Sequence, residues 1–206
     1  MDDVASPFDE HAGVFLPEFL TKSQQSELLA ELKKFPAGSM EYYWRTNQYR
    51  GSALQGDAYC DVELRSPDSG EHDAYDAVLL SNTCDVDPQN VRNLPMYALL
   101  APLVSFDAVK DLLHAKGVDS RRAHGVLESL QGQRVTNAMY FPPTDRYPSG
   151  AVLFFDTMQS VPVSFLERIT QSRIWRLNQS GFYCLLLKVS IHFTRFGEQI
   201  ARFEST

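Results

Sequence analysis

The chain has 206 residues and a mass of 23.3 kDa, with 44% hydrophobic, 12% aromatic and 22% charged residues, which excludes disordered, collagen-like and coiled-coil architectures. Its net charge of −7 is unevenly divided: residues 1–119 carry 9 Lys and Arg against 20 Asp and Glu, whereas residues 120–206 carry 10 against 6. Affinity for phosphate backbones comes from clustered Lys and Arg, so the first part disfavours general nucleic-acid binding and any RNA contact must use the second.

Residues 1–20 form a lead rich in Pro and Phe, with GVFLPEFL expected to pack as a short strand or turn. Thr21 with Gln24 three positions later fits a capping box, and Leu28, Leu29, Leu32 and Phe35 recur at helical spacing up to the stop at Pro36-Ala37-Gly38. Tyr42, Tyr43 and Trp44 are read as the wall of a core, with a stacking surface for bases as the alternative. From Gly56 the texture changes to short alternating runs. GDAYCDVEL reads as a half-exposed strand with Tyr59, Asp61 and Glu63 on one face and Ala58, Cys60, Val62 and Leu64 on the other. Pro67, Asp68, Ser69 and Gly70 make a turn, and AYDAVLLSNTCD resumes as a more fully buried strand, completing a wide hairpin. MYALLAPLVSF is expected to be a third strand, with Pro102 at its end or on an exposed edge.

Ser105 and Asp119 each cap a predicted helix, the two ending at Gly117 and Gly132 to form a helical hairpin inserted in a β context. VTNAMYFPP and AVLFFDTM return to strand, separated by a polar loop from Thr144 to Gly150. Pro162 opens a short helical turn ending near Arg168. Phe182, Leu185, Leu186, Val189, Phe193 and Phe196 then mark the apolar face of a long C-terminal helix. Lys188, His192 and Arg195 fall on its other side as a basic stripe flanked by Arg173, Arg176 and Arg202. That stripe is the candidate partner-binding surface, for an acidic protein, for RNA or for the chain's own acidic part; a solvated polar face is the plain alternative.

Chemistry is sparse. Cys60, Cys84 and Cys184 make neither a disulfide framework nor a zinc site, and reduced thiols are expected. Cys84 in Thr83-Cys84-Asp85 could act as a nucleophile if His72 reached it, although a single buried cysteine more often serves as a small hydrophobe. The five histidines are scattered without ligand spacing, and there is no G-x-G-x-x-G or G-x-x-x-x-G-K loop, so neither a metal nor a cofactor is expected. No window approaches the roughly 20 apolar residues of a membrane span, and MDDVASPFDE lacks the basic region of a signal peptide, which points to a cytoplasmic protein away from membranes.

GDAYCDVELRSPDSGEHDAYDAVLLSNTCD resembles the opening hairpin of the PemK/MazF toxin family through Gly56-Asp57, Gly70-Glu71 and Val78-Leu79-Leu80-Ser81. SNTCD also resembles a segment of uncharacterised bacterial proteins. The family resemblance implies an α+β fold: an SH3-like small β-barrel formed by 56–104 and 133–160. To this a single domain would add the N-terminal segment 1–55, the helical insertion 105–132 and the C-terminal helical region 161–206. It also implies endoribonuclease activity of toxin–antitoxin modules. The family carries an RNA-cleaving arginine just before the buried strand, where this chain has Ala74-Tyr75-Asp76, and the Asp76 carboxylate would repel phosphate. The leading expectation is therefore a non-catalytic interaction or regulatory protein of a prokaryotic defence or toxin–antitoxin-type locus, with a protein partner. The alternative is an endoribonuclease using Arg65 with Ser81 or Thr83.

Overall fold

The structure is a computed structural model that describes residues 22, 23, 26, 42–45, 51–90 and 93–194. It is an α+β fold in which seven strands form a mostly antiparallel sheet, the count being of the described residues. The first hairpin is β1 (Ala58–Arg65) and β2 (His72–Leu79), followed by the single-turn α1 (Thr83–Val86) and the long β3 (Tyr97–Ser105). The inserted helices are α2 (Phe106–Ala115) and α3 (Ser120–Gln131), then β4 (Ala138–Phe141) and β5 (Ala151–Phe154). A 3-10 turn leads to β6 (Gln159–Pro162), α4 (Ser164–Ile169), β7 (Arg173–Trp175) and α5 (Gln179–Thr194). The sheet order is β4-β5-β3-β2-β1-β7, with β6 also pairing β3.

The sheet curls without closing into a barrel. Leu103–Ser105 of β3 pair with β5 and Tyr97–Leu100 pair with β6, so β5 and β6 act as one bent strand broken at the 3-10 turn. Where β6 comes round towards β1, no backbone ladder forms. Instead the Gln159 side chain bridges the gap, accepting from Arg65 N at 2.9 Å and donating to Arg65 O at 2.6 Å. The concave face encloses Tyr59, Val62, Leu64, Leu79 and Leu100 and is capped by Leu166 and Ile169 of α4. On the opposite face Val78, Ala101, Leu103, Phe141 and Trp175 pack beneath Cys184, Leu185 and Leu187 of α5.

Several local expectations hold at the residues that signalled them. Ser105 Oγ accepts from Ala108 N and Asp119 Oδ1 from Arg122 N, which caps α2 and α3 as the sequence predicts. Tyr42 is buried and Tyr43 half-buried in the core, while Trp44 stands 38% exposed at its rim. Of the predicted N-terminal helix, Lys22, Ser23 and Ser26 are helical and the remainder lies outside the described residues.

Other expectations are corrected. The alternation of β1 breaks at a bulge between Tyr59 and Val62, where Asp61 takes φ of 55°, so Tyr59 shares a face with Val62 and Leu64 rather than with Asp61 and Glu63. Pro102 lies inside the sheet, not at its edge. Leu99 directs its N–H and C=O towards the β2 side, to Ser81 Oγ and Leu80 N, so Pro102, three residues on, turns its missing N–H to the opposite side, at the break between β5 and β6. The strand predicted through SNTCD ends at Leu79, because Asn82 caps Cys84 N and turns the chain into α1, leaving Cys84 exposed.

Candidate functional site

Four polar or accessible places stand out once the fold is assembled. The first is Asp57, which follows Gly56, a residue at φ of 89° whose added Cβ would stand 2.5 Å from Leu177 Cδ1. The Asp57 carboxylate is fully buried and accepts from Arg176 Nε at 2.8 Å, Arg176 Nη2 at 2.6 Å and Leu54 N at 3.0 Å. Arg173 Nη1 lies 3.8 Å away, and Arg176 also donates to Ser52 O at 2.6 Å. Arg173 and Arg176 therefore turn inward. The sequence placed them beside a surface stripe, but a buried carboxylate outcompetes water for a guanidinium fork.

The second is Lys188, also expected on that stripe and only 1% exposed. Its ammonium donates to Gln133 O at 3.1 Å and to Val135 O, in the connection between α3 and β4. Burial lowers its pKa to about 8. One turn earlier the Cys184 thiol, 3.4 Å from Tyr42 Oη, is pushed up to about 11 by burial. His192 is mostly covered, stacks on Phe155 and lies 3.6 Å from Asp156. Arg195 lies outside the described residues, and Phe193, assigned by the sequence to the buried face, is exposed. Lys188 and His192 are thus not on a solvent face, and Arg202, like Arg195, lies outside the described residues. Around Leu185–Ile191 the helix is apolar on nearly every side, so periodicity alone does not select which side is buried.

The third is a cluster on the α5 side of β1 and β2. Opposite the bulge of Cys60 and Asp61, Asp76 accepts from Arg146 Nε and from Arg146 Nη2 at 2.8 Å, and Tyr147 Oη donates to it at 2.6 Å. The carboxylate expected to repel phosphate is thus neutralised by an arginine from the loop between β4 and β5. Burial and the adjacent Asp61 push the Cys60 thiol up, away from a nucleophilic thiolate.

The residues proposed for RNA cleavage do not converge. Arg65 ends β1 opposite His72, whereas Ser81 and Thr83 lie beyond the far end of β2, on the order of 25 Å away at the rise of a β-strand. Ser81 Oγ accepts from Leu99 N at 2.7 Å and Thr83 Oγ1 from Gln55 N at 3.0 Å, so both serve the backbone. The same separation keeps His72, which lies 3.8 Å from Glu63, away from Cys84.

The fourth is a cleft of about 600 Å³ at the start of α5. Trp44, Leu54, Leu177, Phe182 and Tyr183 supply its apolar walls, and Gln55, Thr83 and Asn178 its polar rim, with no charged side chain among the described residues that line it. Asn178 caps α5 by accepting from Gly181 N at 2.9 Å, and the chain at Tyr42 passes so close that a Cβ on Gly181 would stand 2.6 Å from Tyr42 O. Of this cleft the sequence offered Trp44, through the aromatic run beside it, and Thr83, as a candidate for RNA cleavage, but nothing in it joined the two. The Asp57–Arg176 and Lys188–Gln133 contacts had no local signal, since their partners lie 119 and 55 residues apart. Among the described residues, no group of three or more His, Cys, Asp or Glu is placed to hold a metal ion, and no helix is long and apolar enough to cross a membrane. No protein-family model matches the chain, and no curated protein matches it.

Proposed function

We propose that this chain is a non-catalytic protein-interaction module, built on an opened PemK-like, SH3-like sheet, that regulates a partner in a prokaryotic defence or toxin–antitoxin-type system. The Trp44 cleft carries the reading: it is apolar, uncharged among its described lining residues, and rimmed by a partly exposed tryptophan, the residue type most enriched at binding hot spots. The dispersal of Arg65, Ser81 and Thr83 and the pairing of Asp76 support the absence of catalysis. The test is affinity capture of the tagged chain from its native cells, with and without nuclease, comparing wild type with Trp44→Ala. A stoichiometric protein partner that survives nuclease is expected, with affinity reduced about tenfold or more by the substitution, the usual scale of a tryptophan anchor. Unchanged capture by Trp44→Ala would remove the cleft from the interface.

One observation favours the endoribonuclease as a second reading. Arg146 brings a half-exposed guanidinium to the position of Asp76, next to where the resembling family keeps its arginine. RNA cleavage by wild type that is lost in Arg146→Ala would support that reading, whereas no cleavage across varied RNAs would remove it.

A further inference from the structure

The loop from Pro142 to Gly150 crosses the sheet between β4 and β5 as a preformed unit. Thr144 and Tyr147 exchange backbone hydrogen bonds at 3.0 and 3.1 Å, and Gly150 N donates to Tyr147 O at 2.9 Å. Both stems are fastened: Tyr43 Oη donates to Pro142 O at 2.7 Å, and Tyr140 Oη to Ser149 O at 3.1 Å. The side-chain hydrogen bonds from the tip to the sheet converge on one acceptor, with Arg146 and Tyr147 both closing on Asp76 of β2. Asp76 is 9% exposed and Arg146 48%, so the fastening is reached from solvent on the arginine side.

Cys60, half-buried in the β1 bulge, lies opposite Asp76 on the neighbouring strand, and the Trp175 ring meets Tyr147 edge-on at 6.0 Å. The Trp175 indole N–H is buried with no hydrogen-bond partner among the described residues. A buried donor without a partner costs free energy, and this one belongs to a ring in contact with Tyr147 of the loop.

We propose that the loop Pro142–Gly150 is a strap latched to the sheet by Asp76, and that releasing the Arg146–Asp76 pair uncovers Cys60 and the edge of Trp175 while the rest of the fold stays closed. The strap keeps its internal turn and its fastened stems, so only the tip has to lift. High salt weakens a half-exposed ion pair, and therefore opens the latch further.

The three cysteines provide the measurement, since Cys84 is exposed, Cys60 sits beside the latch and Cys184 is in the core. The full chain is treated with N-ethylmaleimide and labelling at each cysteine is followed by mass spectrometry in wild type, Arg146→Ala and Asp76→Asn. In Arg146→Ala, Cys60 should label about tenfold faster while Cys184 stays protected, as expected for local rather than global opening. The Arg146 charge lowers the Cys60 pKa, so removing that charge would by itself slow labelling; acceleration therefore reports access. Added sodium chloride should accelerate Cys60 in wild type but not in Arg146→Ala. An unchanged Cys60 rate in Arg146→Ala overturns the strap, and so does a joint rise at Cys60 and Cys184, because release would then be unfolding.

Discussion

Asp57 and Lys188 are both buried charges, but they are neutralised in opposite ways. Asp57 sits in a closed electrostatic unit, with two arginines, a backbone N–H and the Tyr59 hydroxyl around one carboxylate. Lys188 carries its charge to two main-chain carbonyls, and the ionisable group that influences it most is the Cys184 thiol. Burying an ion is costly in either case, but an opposite charge recovers most of that cost and a carbonyl recovers less. Held by carbonyls rather than by an opposite charge, the Lys188 ammonium has its pKa moved down by burial to about 8.

The comparison breaks most visibly at Asp57. Asp57→Ala removes the buried carboxylate that Arg176 pairs with and should cost about 3–5 kcal/mol in urea unfolding, the range for removing one partner of a buried pair. A loss below about 1 kcal/mol would mean that Arg176 escapes to water on the scale of a surface ion pair.

Lys188→Met should be milder, within about 2 kcal/mol of wild type at pH 7, because the lost hydrogen bonds are offset by removal of a desolvated charge. The same variant tests the pH dependence. The folded pKa of about 8 lies below the ordinary 10.5, so between these values the unfolded chain binds more protons and stability rises with pH. Cys184 acts in the other direction: its folded pKa of about 11 exceeds the ordinary 9.0, so the unfolded chain loses that proton first and stability falls between them. Wild type should therefore gain on the order of 1 kcal/mol from pH 8 to 9, then flatten or decline. Lys188→Met should lose the gain, and Cys184→Ala should extend it above pH 9. A flat wild-type profile from pH 8 to 9 would contradict the assigned Lys188 environment.

The smallest effects compare two glutamines. Gln133, at φ of 53° and buried, pairs its amide with both backbone groups of Tyr140, at 2.5 and 3.2 Å, and so covers the outer edge of β4. Gln159 makes the same kind of pair with Arg65 across the open side of the sheet, but at an exposed position. Gln133→Ala should cost about 2 kcal/mol and Gln159→Ala under about 1, because only the first leaves backbone groups both buried and unpaired. Equal losses would show that the Gln159 bridge is as dry as the Gln133 one.

The legible parts of the chain are those whose cause is local. Ser105 and Asp119 announced α2 and α3 because a capping side chain bonds a backbone N–H three residues away. The hairpin of β1 and β2 was visible in its alternation and its Pro67–Gly70 turn, yet the bulge at Asp61 was not, because one inserted residue leaves no mark in an alternating pattern. Of the candidate site, Trp44 lay in a conspicuous aromatic run, whereas Leu177 and Phe182 join it only because α5 folds back against the segment at Tyr42. Asp76 was singled out for its charge, but its partner Arg146 is 70 residues away and gave no sign of the pairing.

Composition, turns, caps and alternation determined by themselves that this is an α+β chain of short strands with a helical insertion and a long final helix. The tertiary structure decided which face of α5 is buried, that Arg173, Arg176 and Lys188 turn inward, and that the sheet curls without closing. Each of those outcomes depends on a burial or pairing free energy shared between residues distant in sequence, and such a term is absent from any local window.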